Sequence, residues 1–363
     1  MSVQCFGAIA ALFSPNCANK AHNQKQPATS KYNMIRHALL FLTGILLSVL
    51  FLAAPQIQAQ PLRVALLLEG QRDDHAKNSL MCQGLANAAK KCPVQASVLE
   101  AGEGDLEALF ERAAKEHDLV LLASPRLHEI LRSQAGNFPR TSFGCLDTSI
   151  LGLRSKNIMS VTFADAEPAF LAGAASALMV GEGQKLGWLE DEESPQSRTM
   201  LEGFIAGAQI SRPDIRIVRR EAKGKDMDTL LSEMRFEGAA MVFLATGSYT
   251  RKAVTALAAQ SLWGVGLDMD QSPLAPKKLP LSLVKRFDRA VEELVLARAN
   301  GTFKGRETLV YNLENKGVAL VQARDARLPA NVQRRLQELS RELEAGNIVL
   351  EDKRTPTLCN CLD

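Results

Sequence analysis

The sequence predicts an α/β protein with two lobes, each containing a doubly wound parallel sheet. Short strands that are apolar throughout alternate with helical segments, and this alternation runs along the chain twice. Strands without polar positions are typical of parallel sheets that helices cover on both faces. The chain has 363 residues, enough for roughly two domains of about 150 residues each. Two successive runs therefore predict two lobes.

The first run begins at Leu62 and ends at Phe163. Its strands are expected at residues 62–68, 94–99, 118–123, 141–146 and 157–163. Helical spacing of apolar residues predicts helices at residues 73–91, 106–117 and 125–134. Pro93 ends the first helix and separates it from the second strand.

The second run repeats this order with the helix first. Its helices are expected at residues 165–180, 197–210, 226–236 and 249–260. Its strands are expected at residues 185–189, 215–218, 239–245 and 263–267. The rest of the chain is expected to form strands at 281–284, 308–313 and 317–321 and helices at 286–300 and 329–345.

The two lobes are expected to draw on separate parts of the chain. Lobe 1 is predicted to contain residues 60–163 and about 268–305. Lobe 2 is predicted to contain residues 164–267 and about 306–350, followed by a tail at 351–363.

The N-terminal region indicates export. A short basic segment, Met34-Ile35-Arg36-His37, precedes the apolar run ALLFLTGILLSVLFLAA. This pattern predicts a secretory signal over residues 34–59 with cleavage after about Ala59. A membrane anchor is the alternative, because about 17 apolar residues lie near the lower limit for spanning a bilayer. Residues 1–33 are predicted to be unstructured or to precede the true start at Met34, and the protein is expected in the periplasm or another extracytoplasmic space.

Charge and cysteine content exclude several classes of function. Four cations and no acid lie in residues 1–59, so the net charge of +3 becomes −1 without them. No basic surface suited to nucleic acid is therefore expected. Five cysteines follow Ala59, and an odd number leaves at least one thiol unpaired in a monomer. The terminal Cys359-Asn360-Cys361 gives only weak support for a metal site, because no second thiol pair accompanies it.

No catalytic signature is present. The sequence lacks G-x-S-x-G, H-E-x-x-H, C-x-x-C and a phosphate-binding loop that ends in Gly-Lys-Ser/Thr. The histidines after Ala59 are His75, His117 and His128, and each is interpreted as a surface residue. We therefore expect no enzyme activity, no cofactor and no metal.

Polar residues do cluster after the predicted strands. In open parallel sheets, ligands bind beyond the carboxyl ends of the strands. The residues at these positions include Asp74, Lys77, Asn78, Asp147, Gly247, Asp268, Asp270, Gln271 and Lys285. Their shared position predicts a polar rim that can bind hydroxyl groups. Each residue also has a simpler interpretation as a solvated loop residue or, for Asp73 or Asp74, as a helix cap.

The chain resembles the basic membrane protein family, the PnrA-like purine nucleoside receptors of ABC importers. The matching segments run through nearly the whole chain after Ala59. They include Asp74–Asn78, Asn157–Phe163, Ala169–Ala175, Glu202–Ala208, Val265–Gln271, Leu283–Asp288 and Leu343–Val349. The resemblance implies a type I periplasmic-binding-protein fold, with a ligand held between two lobes that three crossing strands join.

The resemblance also implies roles for individual residues. Asp268 corresponds to the family's ribose-binding Asp in its D-x-D-Q segment, and Asp147 to the Asp after the fourth strand. Asp74 and Asn78 correspond to the ends of the D-x-S-F-N motif, and Lys285 to the Lys of S-V-x-K-R. Asp270 and Gln271 are expected to fix the crossover backbone, which requires the chain to turn after Asp268.

Three positions depart from the family pattern. The Phe that precedes the motif Asn is Lys77, and Leu68 stands where relatives often have Asp. The Gly-rich stretch after residue 245 is reduced to Thr246-Gly247-Ser248-Tyr249. Without a ring at residue 77, a base would lose a stacking contact of roughly 1–3 kcal/mol. Lys77 instead favours an anionic or carbonyl-bearing ligand.

These observations predict a monomeric solute-binding protein that delivers a small polar, nucleoside-like ligand to an ABC permease. The alternative is a ligand-sensing module that signals to a membrane receptor. A third hypothesis is a hydrolase in which Asp268 and Asp270 share a metal ion. No nearby His or third acid in the sequence completes such a shell.

Overall fold

The computed structural model describes residues 60–101, 106–149 and 156–350. The predicted signal segment, the tail, Cys359 and Cys361 lie outside these residues. Cys82, Cys92 and Cys145 are free thiols. Within the described ranges, no helix combines the length and the apolar character needed to cross a bilayer.

The first sheet contains six strands, all parallel to their neighbours. They are β1 (Leu62–Glu69), β2 (Val94–Ala101), β3 (Leu119–Leu122), β4 (Ser142–Leu146), β5 (Ile158–Phe163) and β11 (Thr308–Tyr311). Their order across the sheet is β11-β5-β4-β3-β1-β2.

The second sheet has the corresponding order β12-β10-β9-β8-β6-β7. Its strands are β6 (Lys185–Glu190), β7 (Ile217–Glu221), β8 (Ala239–Ala245), β9 (Trp263–Asp268), β10 (Leu281–Lys285) and β12 (Val318–Gln322). Pairs such as β4 and β9, or β1 and β6, therefore occupy equivalent positions in the two sheets. The two lobes differ at one edge, where β12 runs antiparallel to β10 while β11 runs parallel to β5.

Helices cover both faces of each sheet, as the apolar strands predict. They are α1 (Lys77–Ala89), α2 (Leu106–Glu116), α3 (Pro125–Gln134), α4 (Ala166–Met179), α5 (Pro195–Ser211), α6 (Met227–Phe236), α7 (Thr250–Ala259), α8 (Phe287–Ala299) and α9 (Ala330–Glu344). In lobe 1, α1 and α8 pack on one face, and α2 and α3 pack on the other. In lobe 2, α4 and α5 lie opposite α6 and α7, and α9 packs on α4.

The lobe boundaries differ from those expected. Strand β10 belongs to the second sheet, whereas the sequence interpretation assigned residues after about 268 to lobe 1. Strand β11 belongs to the first sheet, although it was assigned to lobe 2. The chain thus crosses between lobes after Phe163, after Lys285 and after Tyr311. Apolar periodicity identified these strands, but it carries no information on which sheet a strand joins. The expected architecture of two doubly wound lobes with three crossings is confirmed.

Helices α4 and α5 pack at a distance that only glycine permits. A Cβ atom at Gly173 would overlap the carbonyl oxygen of Phe204, and one at Gly207 would overlap that of Phe170. Each helix therefore presents a backbone surface to the other. The two segments that contain these glycines are among those that carry the family resemblance, and close packing gives them a physical reason.

Candidate functional site

Two aspartates occupy equivalent strand ends in the two lobes. Asp147 follows β4, and Asp268 is the last residue of β9. Both have a left-handed backbone, with φ of 66° at Asp147 and 71° at Asp268. Residues with a side chain rarely adopt this conformation, and such strain is common at functional sites. The turn expected after Asp268 is thus present.

Lys285, the last residue of β10 in lobe 2, binds the carboxylate of Asp147 in lobe 1. Its Nζ atom lies 2.6 Å from Oδ1 of Asp147 and donates a second hydrogen bond of 3.2 Å to Oδ2 of Asp165. The rings of Phe163 and Phe287 lie 5.0 and 5.2 Å from Nζ, a cation–π arrangement. Only 3% of the Lys285 side chain is exposed. The carboxyl edges of the two sheets therefore meet here, and we call the region between them the interlobe cleft.

The cleft is a network of interacting charges. Burial alone would lower the pKa of Lys285, but the carboxylates of Asp147, Asp165 and Asp268 outweigh it and raise the pKa to about 12. Burial raises the pKa of Asp268 to about 6, even though Lys285 and Lys77 act in the opposite direction. Asp268 is thus ionised near neutral pH, although burial shields its carboxylate from water.

Lys77 lies on the lobe 1 side of this network. It is the first residue of α1, and its Nζ atom donates to the carbonyl oxygen of Ala123, 3.2 Å away, at the end of β3. The side chain is half-buried, and an ammonium group has three hydrogens. Lys77 therefore retains donors beyond its bond to Ala123.

Asp74 and Asn78 support the loop that carries Lys77. The carboxylate of Asp74 accepts bonds from the backbone N–H groups of Ala76, Asn78 and Ser79, so it caps α1. Asn78 is buried and donates from Nδ2 to the carbonyl oxygens of Glu69 and Gln71. Direct ligand contact by Asp74 or Asn78 stays a prediction.

The two residues that follow Met269 fix the β9–β10 loop. Gln271 donates from Nε2 to the carbonyl oxygen of Leu267 at 2.7 Å and accepts from the Leu267 N–H at 3.3 Å. It also donates to the carbonyl oxygen of His75 in lobe 1. Asp270 accepts from the N–H of Ser272. This loop joins two strands of one sheet, so both residues fix a loop inside lobe 2 and not a lobe crossing.

Gly247 lies on the lobe 2 side of the cleft, after β8. Its φ of 44° is in the left-handed region. A Cβ atom at this position would lie 3.5 Å from Oδ2 of Asp191, so the loops after β6 and β8 are neighbours. The shortened loop noted in the sequence therefore lies beside the loop after β6.

Two buried residues of the network were not identified from the sequence. Asp165 has the N-cap position of α4, but its side chain makes no cap bond and turns to Lys285. His128 was interpreted as a surface residue, yet it is buried, and its Nε2 atom lies 3.0 Å from the carbonyl oxygen of Leu146. Burial lowers the pKa of His128 to about 4, so the neutral ring donates this bond. Its position between the apolar residues Leu127 and Ile130 of α3 is the feature of the sequence that could have indicated its burial.

Further contacts across the cleft come from α5 and α7 of lobe 2. Gln196 in the first turn of α5 donates to the carbonyl oxygen of Asp147 at 3.3 Å. Arg251 of α7 lies 4.0 Å from the carboxylate of Asp73. Among the described residues, no group of three His, Cys, Asp or Glu side chains is arranged to hold a metal ion.

Comparisons with known proteins agree with this architecture. A model of the family described as ABC transporter substrate-binding protein PnrA-like matches residues 62–351. The ABC transporter nucleoside-binding protein BmpA of Lactococcus lactis is 29% identical to the chain. That alignment covers 53% of this chain and 60% of BmpA, so the chain spans less than two thirds of this relative.

Solved structures extend the similarity to the fold. An ABC transporter solute-binding protein of Aeropyrum pernix superposes with a TM-score of 0.70 at 20% identity, over 80% of this chain and 94% of its own. A transcriptional activator of the comK gene from Bacillus halodurans superposes with a TM-score of 0.65 at 21% identity. That superposition covers 78% of this chain and 98% of the activator. The type I periplasmic-binding-protein fold is therefore confirmed.

Proposed function

The chain belongs to the PnrA-like family of ABC transporter substrate-binding proteins, and from that premise we propose that it delivers a small polar ligand to an ABC importer. The ligand is captured in the interlobe cleft outside the cytoplasm, after export directed by the N-terminal segment. The process involves binding and release without covalent chemistry. The importer is a membrane permease that docks on the loaded protein.

One observation carries this proposal. Asp147 and Asp268 occupy equivalent strand ends of two different lobes, and Lys285 binds Asp147 and interacts electrostatically with Asp268. A ligand that contacts both aspartates is therefore held by both lobes at once. Such a ligand stabilises the closed arrangement over the open one by its differential affinity.

The charges of the cleft indicate the ligand class. A buried carboxylate such as Asp268 accepts two hydrogen bonds from neighbouring hydroxyl groups, as a sugar or ribose presents them. Lys77 keeps donors beyond its bond to Ala123, and we propose that one of them binds a carbonyl or carboxylate oxygen of the ligand. We therefore propose a hydroxylated ligand with an oxygen acceptor, for which an oxo-nucleoside is the leading candidate.

A thermal-shift screen of the purified protein tests the proposal. Nucleosides, nucleobases, sugars and amino acids are compared, because a ligand that binds only the folded state raises the midpoint by mass action. Hydroxylated compounds should raise the midpoint, and nucleobases without a sugar should not. A shift by amino acids alone would contradict the proposal.

A second candidate function is ligand sensing, in which occupancy is passed to a membrane receptor. The similarity to a transcriptional activator of the comK gene favours this possibility, because a protein described as a regulator shares the fold. Copurification separates the two functions. A permease that is retained with the liganded protein supports transport, and a receptor retained in its place supports sensing.

A further inference from the structure

Lys285 binds one partner that does not belong to the crossings between the lobes. Its Nζ atom bonds Asp165 and lies over the rings of Phe163 and Phe287, and these three residues lie at the first or second crossing. They surround the pivot, where opening moves atoms least. Asp147 instead follows β4 inside lobe 1, and its Oδ1 atom lies 2.6 Å from Nζ. Opening of the lobes would therefore take one carboxylate away from a cation that stays at the pivot.

Gln271 makes a second buried contact between the lobes. The residue is 1% exposed, and its Nε2 atom donates to Leu267 within lobe 2 at 2.7 Å and to the carbonyl oxygen of His75 in lobe 1 at 3.3 Å. An amide nitrogen has two hydrogens, so both are used. His75 has a left-handed backbone with φ of 53°, a conformation that persists where surrounding contacts fix it. Separation of the lobes would break the bond between Gln271 and His75.

Two further contacts come from helices of lobe 2 that do not lie at a crossing. Gln196, in the first turn of α5, donates to the carbonyl oxygen of Asp147 at 3.3 Å. Arg251 of α7 lies 4.0 Å from the carboxylate of Asp73, and both side chains are exposed. Opening would break both contacts, although an exposed ion pair contributes little to the balance.

We propose that these four contacts, which we call the interlobe latch, hold the lobes closed before a ligand binds. Each contact joins protein groups directly, so closure does not require a ligand to connect the lobes. A typical hydrogen bond shifts an equilibrium by roughly two- to tenfold, so several bonds together favour the closed arrangement strongly. The latch acts on the unliganded protein, so it goes beyond the proposed function and holds whichever solute the cleft binds.

The latch changes what closure reports to a partner. A ligand enters while the lobes are briefly open, and the closed arrangement is restored around it. A partner protein that recognises only the closed arrangement would also bind the unliganded protein. The importer or receptor must therefore detect occupancy by something other than closure alone.

Small-angle X-ray scattering of the unliganded protein tests this proposal. The latch variant combines Asp147→Asn, Gln196→Ala and Arg251→Ala, and it leaves the residues at the crossings unchanged. Loss of its two hydrogen bonds should lower the closed-to-open ratio by roughly four- to a hundredfold, so the radius of gyration should increase. Circular dichroism checks that the variant is folded. Gln196→Ala with Arg251→Ala removes no buried charge and provides a second variant if Asp147→Asn unfolds the protein.

The control variant changes the same kinds of side chain within lobe 2. It combines Asp270→Asn, Gln333→Ala and Lys252→Ala, whose contacts lie inside that lobe. Its radius of gyration should equal that of the wild type. Equal radii for the latch and control variants would overturn the proposal. A decrease in the wild-type radius on addition of inosine would also overturn it, but would leave the proposed function standing, because inosine would then cause the closure itself.

Discussion

The ammonium group of Lys285 lies 2.6 Å from the carboxylate of Asp147. The two residues come from different sheets, since Lys285 ends β10 and Asp147 directly follows β4. The same ammonium group reaches Asp165 at the first crossing between the lobes. A single buried cation thus connects β10, the end of β4 and a hinge segment. The arrangement of the lobes and the charge of the cleft depend on the same side chain.

Replacement of Lys285 should therefore destabilise the fold. Lys285→Met leaves three carboxylates of the network without their shared cation, and removal of one partner of a buried ion pair lowers stability by about 3–5 kcal/mol. Urea denaturation of the unliganded protein measures this loss.

The control is Lys304→Met, which breaks an exposed pair with Glu307 at 3.9 Å. Exposed pairs contribute little, so the control should unfold like the wild type. Similar curves for Lys285→Met and the control would show that the buried network does not stabilise the lobes.

The pH dependence of stability should reveal Asp268. Its pKa is about 6 in the folded protein and 3.8 in the unfolded chain, so the folded state binds the proton more tightly. The contribution of Asp268 to the free energy of unfolding is fully present below about pH 4 and is lost as the pH rises to about 6. The shift corresponds to roughly 3 kcal/mol. Asp268→Asn cannot ionise and removes this loss.

Urea denaturation of wild type and Asp268→Asn between pH 4 and pH 7 checks this prediction. The free energy of unfolding of the variant, relative to the wild type, should increase through this range and become constant above about pH 6. A difference that stays constant with pH would mean that Asp268 titrates in the folded protein as it does in the unfolded chain.

The close packing of α4 on α5 predicts a strong effect of one methyl group. Gly207→Ala places a Cβ atom against the carbonyl of Phe170, and because the atoms that it meets belong to the backbone, the helices must separate. Overpacking of this kind lowers stability by about 1–3 kcal/mol. Gly136→Ala is the control, since a Cβ atom there meets no atom within 4 Å. Thermal unfolding should separate the two variants, and equal midpoints would contradict the packing argument.

Lys77 should determine which nucleosides bind. Lys77→Phe supplies a ring in place of the ammonium group, and base–aromatic stacking contributes roughly 1–3 kcal/mol. The variant should bind purine nucleosides more tightly and lose its preference for carbonyl-bearing bases. Lys90→Phe, at the other end of α1, is the control. Titration with inosine and adenosine measures both changes, and unchanged affinities would exclude Lys77 from the ligand site.

The sequence predicted the strands and their carboxyl-end residues well, because apolar runs and strand ends are local features. Asp268, Asp147 and Lys285 were identified from position and resemblance, and the structure brings all three together. The predicted lobe membership of β10 and β11 was wrong, because the pairing of strands in a sheet depends on residues far apart in the sequence. His128 and Asp165 were missed for a similar reason, since a polar residue in a helix or at its N-cap reveals no tertiary partner.

Ligand affinity of Asp268→Asn tests the central claim most directly. By isothermal titration at pH 7.5, we expect wild type and Asp270→Asn to bind the same hydroxylated ligand, because Asp270 serves only its own loop. Asp268→Asn should weaken this binding by roughly ten- to a hundredfold, as loss of charge-assisted hydrogen bonds does. Equal affinity of Asp268→Asn and wild type would contradict the assignment of the cleft as the ligand site.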